Sequence, residues 1–418
     1  MGATATRLAA GGLAEKAKRL SLSSEATRGL PHALFTKGNA EVLAARLARL
    51  RGAAMKVGQM LSLEGDNLLP LEFTRALEVL RSSAHQMPEA QVRSVLSSEL
   101  GVDFERHFES LDLQPIASAS IGQVHRAVAL DGRQLVLKIQ YPGVSESVES
   151  DVDNLRALLS LARLLPGELD VDALTEEIKR ELAREVDYER EGQKLNQYRE
   201  LLLHDKDYWV PRALLERSSK RILVMEWAPG VELLKWARTA SQVDRDRIGT
   251  SLVRLLFKEF FELGLSQTDP NPANYLVHEE GGQLVLIDLG AARSVPKEVS
   301  TLYRKGLGGM LHRDRVALRA VVAELGLDVT GDSPATDLVV SVALDAAAIF
   351  QPGAYDFATS DLADRLRERS AALRQVQKNL RAPAPHFIFF QRKMAGTFLL
   401  CRNLGARVDC HALLTSFL

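Results

Sequence analysis

The sequence predicts an α+β fold in which a helical N-terminal extension precedes a small sheet-bearing lobe and a larger, mainly helical lobe. Three observations predict it. Apolar residues recur at three- and four-residue steps ahead of residue 110, short apolar strands with tight turns occupy the stretch from Ile116 to Trp227, and helical periodicity dominates from Ser300 to the end.

The extension opens with Val42, Leu43, Leu47, Leu50, Ala54, Val57 and Leu61, one apolar face of a helix over Glu41–Leu63. Helical pattern continues through Leu71–Leu80 and Glu89–Leu100, with Pro88 marking the start of the latter. Ile116–Ala129, an Asp131-Gly132 turn and Gln134–Gln140 then read as a hairpin that ends at Tyr141-Pro142-Gly143. Asp172–Glu200 reads as one long helix, and Arg221–Trp227 as a short strand running into Ala228-Pro229-Gly230. A helix over Ile248–Leu265 precedes a polar loop and a hairpin, Tyr275–Val277 with Leu284–Ile287, closed by Glu279-Glu280-Gly281-Gly282. The expected divisions are a flexible segment over 1–38, the helical extension over 39–110, a first lobe over 111–229 and a second lobe over 230–418.

A chain of 418 residues, 46% hydrophobic and 26% charged, buries a large core, and its formal net charge of −1 supplies no global field for nucleic acid. No apolar run reaches the roughly 18 residues of a membrane span, so a cytoplasmic protein, at most peripheral on an inner membrane, is expected. The N-terminus lacks the apolar core of a secretory signal. Cys401 and Cys410 read as buried free thiols of a reducing compartment.

Asp269-Pro270-Asn271-Pro272-Ala273-Asn274, a hairpin and Asp288-Leu289-Gly290 place two carboxylates and a carboxamide on loops that the hairpin brings together. Mg²⁺ takes oxygen ligands and keeps phosphates in its shell, so Asn274 and Asp288 suit it, and Asp269 stands where a kinase keeps its base. Lys138 lies on an apolar strand downstream of Ala117-Ser118-Ala119-Ser120-Ile121-Gly122, whose small residues let backbone N–H groups approach phosphates. Glu191 is a helix carboxylate suited to pair with Lys138. His312-Arg313-Asp314 spells a kinase triplet but follows Asp288, the wrong order, and reads as a solvated face of a helical stretch.

Together with Lys56-Val57-Gly58-Gln59, Glu185-Val186-Asp187, Gln140-Tyr141-Pro142-Gly143-Val144 and Arg392-Lys393-Met394-Ala395-Gly396, these residues resemble the UbiB/ADCK family of atypical protein-kinase-like proteins from about Asn39 to the end. Gln267-Thr268-Asp269-Pro270-Asn271 looks more like the coenzyme Q branch and its bacterial relatives than UbiB itself. The resemblance implies a bilobal kinase-like fold with ATP (or ADP) and Mg²⁺ as cofactors. It implies Lys138 and Glu191 as an ion pair, Asp269 as the catalytic aspartate and Asn274 and Asp288 as Mg²⁺ ligands. Ala117 to Gly122 would be the alanine-rich nucleotide loop and Glu226, Trp227 and Ala228 the adenine-facing hinge. Lys56 and Gln59, one turn apart, would form a regulatory lid with Glu185 or Asp187, which point different ways on a regular helix.

The lid and the lack of Ala-Pro-Glu after Asp288-Leu289-Gly290 disfavour ordinary protein phosphorylation. The resemblance therefore implies an ATPase or small-molecule kinase supporting ubiquinone biosynthesis. Phosphorylation of a protein in trans and a nucleotide-gated lipid-binding or assembly module are the alternatives. Expected partners are the nucleotide, a quinone-precursor lipid, quinone-biosynthesis proteins, a membrane surface and a second copy of the chain, with no nucleic acid.

Overall fold

The computed structural model describes residues 86–119, 121–161, 171–328, 333–362, 364–366, 368–369 and 385–418. The expected helices over 41–63 and 71–80, with Lys56 and Gln59, and Ser120 of the small-residue turn lie outside these.

Helix α1 (Glu89–Leu100) leads into strands β1 (Phe108–Ser118), β2 (Gly122–Ala129) and β3 (Gln134–Gln140). Helices α2 (Val144–Leu161), α3 (Val171–Glu185) and α4 (Tyr188–Leu202) follow, then β4 (Tyr208–Trp209), β5 (Ile222–Glu226) and β6 (Val231–Glu232). Next come α5 (Leu233–Ala237), α6 (Gln242–Lys258), β7 (Leu265–Gln267), β8 (Tyr275–Val277), β9 (Leu284–Leu286) and β10 (Ala292–Ser294). The chain continues through α7 (Lys297–Leu311), α8 (Arg315–Glu324), α9 (Pro334–Ala346), β11 (Tyr355–Asp356), α10 (Pro385–Leu404), β12 (Arg407–Val408) and α11 (Cys410–Thr415).

Two compact units result, the first ending at Gln193 and resuming over Ala213–Trp227, the second comprising Lys194–Arg212 and Ala228–Leu418. Residues 194–212, placed by the sequence pattern in the first lobe, thus cluster with the second.

In the first unit an antiparallel sheet has the order β1-β2-β3-β5. Leu135, Leu137 and Ile139 are fully buried along β3, which makes it the core strand. Helix α1 starts after Pro88, which has no N–H to leave unsatisfied, ends at Gly101 (φ 91°) and buries Val92, Val95 and Leu96. Helix α2 occupies a stretch to which the sequence pattern gave no element. The single helix expected over Asp172–Glu200 is a pair, α3 and α4, broken at Val186-Asp187. Both halves carry helical periodicity and no Gly or Pro separates them, so local pattern conceals the break.

In the second unit a sheet of order β4-β9-β8-β6 and a β7–β10 ribbon accompany the helices. Helix α6, capped by Ser241 accepting from the Asp244 N–H, buries Ile248, Leu252, Val253, Leu255, Leu256 and Phe257. Its end widens into a π-turn over Glu259–Leu263, closed by Gly264 at φ 60°. His312-Arg313-Asp314 is a break between helices rather than part of one: Arg313 has φ 54°, and the Asp314 carboxylate caps α8 by accepting from the Val316 and Ala317 N–H groups. Cys401 and Cys410 are buried free cysteines, as expected, with burial pushing the Cys410 thiol up to about 12. Among the described residues no helix is long and apolar enough to cross a membrane.

Candidate functional site

On the central strand β3, Lys138 lies opposite Val124 of β2 and Leu223 of β5. An ammonium that is 6% exposed requires a charged partner, and Glu191 supplies it with an Nζ–Oε1 distance of 2.5 Å. The Tyr188 ring lies 5.5 Å from the same ammonium. Glu191 belongs to the first turn of α4, where the helix dipole favours a carboxylate, and the Asp187 side chain caps that turn by accepting from the Arg190 N–H at 3.0 Å. The sequence-predicted ion pair is therefore present, and the break after Glu185 turns the α4 N-terminus toward β3. The premise that Glu185 and Asp187 share one regular helix does not hold: Glu185 ends α3 and Asp187 lies in the break.

The small-residue turn is tighter than the sequence suggested. Ala117 and Ser118 end β1, paired with Val124 and Gln123, and leave Ala119 and Ile121 as its described residues outside strands. The Ala119 N–H donates to the Gly122 carbonyl and the Tyr141 N–H to the Ile121 carbonyl, both at 2.9 Å. A Cβ on Gly122 would meet the Ile139 carbonyl oxygen at 2.3 Å, so only glycine lets the two backbones approach this closely. At the expected hinge, Glu226 pairs with Leu135 in the ladder, and the Trp227 N–H is committed to the Gln134 carbonyl at 2.9 Å. The Arg126 guanidinium covers the Trp227 ring at 4.7 Å. Ala228 is buried and opens the second segment of the second unit.

In the second unit β7 leads to Asp269. The Gln267 amide donates to the Asp288 carbonyl at 2.6 Å, and Thr268 donates from its hydroxyl to the Ala291 carbonyl at 2.9 Å, so the Asp269 and Asp288 loops are tied together. Asn271 folds Asp-Pro-Asn-Pro into a turn by accepting from the Ala273 N–H. The Asn274 amide donates to the Asp269 carbonyl oxygen at 3.1 Å, which leaves its own oxygen side as the ligand face. Register does the rest. Tyr275 opposes Leu286, so Asn274 and Ile287 flank the open end of the hairpin, and the Ile287 N–H donates to the Asn274 carbonyl at 3.1 Å. Asp288 follows directly, its Oδ1 accepting from the Gly290 N–H. Among the described residues no cluster of three His, Cys, Asp or Glu is gathered. One carboxamide and one carboxylate nonetheless fit Mg²⁺, a hard cation that completes its shell with phosphate and water.

Sequence reasoning quoted Arg392-Lys393-Met394-Ala395-Gly396 but assigned it no role. Helix α10 brings Arg392 to the Asp269 carboxylate (3.4 Å) and seats the wholly buried Lys393 on Glu259 of the π-turn (3.0 Å). Glu259 also accepts from Ser266 at 2.9 Å and Tyr198 at 3.2 Å. Burial raises the Glu259 carboxyl above its ordinary value, against the opposing pull of Lys393. A Cβ on Gly396 would fall 2.1 Å from the Pro270 ring, so the helix backbone rests on the Asp269 loop. Opposite charges set in two apolar helical stretches, Glu259 and Lys393, were the available signal. After Asp288 only residues 289–296 precede α7, and β10 within them pairs with β7.

A buried strand lysine paired with a helix glutamate, and an Asp…Asn…Asp set on a loop and hairpin, are features of the class of kinase-like proteins. The ABC1 atypical kinase-like domain matches residues 79–322, and the chain belongs to that family. It is 34% identical to the mitochondrial atypical kinase COQ8 of Schizosaccharomyces pombe over 100% of this chain and 68% of that protein. It is 36% identical to the mitochondrial atypical kinase COQ8B of Rattus norvegicus over 99% of this chain and 78% of that protein. A solved structure of Rv3197 in complex with erythromycin, from Mycobacterium tuberculosis, superposes with a TM-score of 0.66 at 26% identity, covering 91% of this chain and 96% of that one. The kinase-like α+β fold expected from the sequence is thereby established.

Proposed function

We propose that the chain is an ATP- and Mg²⁺-dependent atypical kinase or ATPase that supports the biosynthesis of ubiquinone or another isoprenoid quinone. The observation that carries the nucleotide reading is the buried Lys138–Glu191 pair on the core strand, because a buried charge pair rarely contributes net stability and here fixes an ammonium for phosphate. Lys138 holds the α/β-phosphates beside the Ala117–Gly122 turn, Asn274 and Asp288 bind Mg²⁺, and Asp269 orients water or a substrate hydroxyl. Bound Mg²⁺ would neutralise the phosphate charge. The backbone of Glu226 and Ala228 would face the base, a reading supported by the Trp227 N–H being taken by the Gln134 carbonyl. The quinone pathway rests on likeness to the COQ8 atypical kinases.

The short connection from Asp288 to α7 leaves no segment of the kind that positions a peptide, which favours a water or small-molecule acceptor over a protein in trans. A lid carrying Lys56 and Gln59 over the nucleotide, facing Glu185 or Asp187, is part of the same proposal. The test is Mg²⁺-dependent phosphate release with and without liposomes and phenolic quinone-precursor mimics, for wild type and Asp288→Asn. Release by wild type that Asp288→Asn abolishes supports the enzyme. Tight nucleotide binding without release by either protein would leave a nucleotide-gated binding module instead.

A further inference from the structure

The break between α3 and α4 has an unusual hydrogen-bond exchange. In a continuous helix the Val186 carbonyl would accept from the Arg190 N–H four residues on. Here both groups are taken by side chains. The Arg190 N–H donates to Asp187 Oδ1, and the Val186 carbonyl accepts from the Gln140 amide at 2.6 Å. The same amide donates to the Lys220 carbonyl at 3.2 Å, which also receives the Tyr188 N–H at 3.2 Å. Gln140 is 1% exposed and lies two residues after Lys138, on the same face of β3. One strand therefore grips α4 twice, through Lys138 at Glu191 and through Gln140 at the turn that aims Glu191.

The straight alternative is encoded in the chain, since Asp172–Glu200 carries unbroken helical periodicity. We propose that Gln140 is a positioning residue, a latch that holds the Val186-Asp187 break against the straight helix and so sets Glu191 in register with Lys138. Its effect on turnover rests on the proposed nucleotide function, whereas its effect on the helix does not. Withdrawing the amide leaves the Val186 carbonyl without its donor and lets it recover Arg190. Glu191 then moves off Lys138, and Glu185 and Asp187 change their spacing with it.

The test uses the full chain with Gln140→Met, which keeps volume and removes both donors. Gln140→Asn, one methylene too short to reach Val186, is the second variant should the first fail to fold. Hydrogen exchange at the Tyr188 and Arg190 amides, which pass to the Arg184 and Val186 carbonyls of a continuous helix, is expected to slow about 10-fold or more relative to wild type. ATP turnover is expected to fall about 10-fold in kcat with KM within about 3-fold, and Gln140→Met with Glu191→Gln to be no slower than Glu191→Gln alone. Unchanged exchange at those amides, or additive losses in the double variant, overturns the latch. A wild type that releases no phosphate would refute the enzyme reading, and the exchange measurement would still decide the latch.

Discussion

Replacing Glu191 with alanine removes the carboxylate 2.5 Å from Lys138 while the ammonium stays in a site 6% exposed. Breaking a buried pair from one side costs about 3–5 kcal/mol, and the Tyr188 face at 5.5 Å returns about 1 kcal/mol of that. Glu191→Ala should therefore lose about 2–4 kcal/mol. Glu191→Gln, which keeps an acceptor and loses only the charge, should lose about 1–2 kcal/mol. Removing both charges is different in kind, because Lys138→Met with Glu191→Leu leaves neither member of this pair without the other and should restore stability to within about 1 kcal/mol of wild type. Urea unfolding at constant m-value reads wild type, these variants and the two single changes Lys138→Met and Glu191→Leu. Nucleotide binding, by contrast, should be lost in the restored double variant. A double variant as unstable as the sum of its single changes would refute the reasoning, since the pair would then be holding the fold rather than serving a ligand.

Other outcomes follow from the same geometry. Gly396→Ala should gain helix propensity yet lower kcat at least about 10-fold, because its Cβ drives into the rigid Pro270 ring beside Asp269; steady-state kinetics checks this. Burial holds the His125 imidazole below its ordinary range, with the hydrogen bond to the Asp112 carbonyl opposing. Between that lowered value and about 6.5 the unfolded chain binds the extra proton, so stability falls with falling pH by up to about 1.4 kcal/mol per unit. His125→Asn, which keeps a donor near Nδ1, should flatten that part of the curve in urea titrations at several pH values. Asp314→Ala should cost about 1 kcal/mol in the same assay through loss of the α8 cap, with turnover unchanged.

Residues whose roles are local were legible in the sequence: Lys138 among apolar strand neighbours, the Pro88 helix start, and the turn residues that bend Asp269 toward Asn274. Roles created by distant contact were not. The break at Val186 has only one local signal, Asp187, a favoured helix N-cap, because its other support comes from Gln140 on distant β3. Arg392 and Lys393 carry no assigned role until α10 sets one on Asp269 and the other on Glu259. The turn over Ala117–Gly122 was read too long because strand pairing, a tertiary event, claims Ala117 and Ser118.

The β8–β9 hairpin fixes Asn274 and Asp288 at its open end, while its closed end, Glu279 to Gly282, lies three ladder pairs away. At about 3.4 Å per residue the two ends are separated by roughly 10 Å of rigid ladder. Sequence length at the tip is thereby uncoupled from ligand spacing at the base. A fluorophore or short reporter peptide grafted between Glu280 and Gly281 would travel with the Asn274 and Asp288 loops without altering the gap they span, and would report their motion directly.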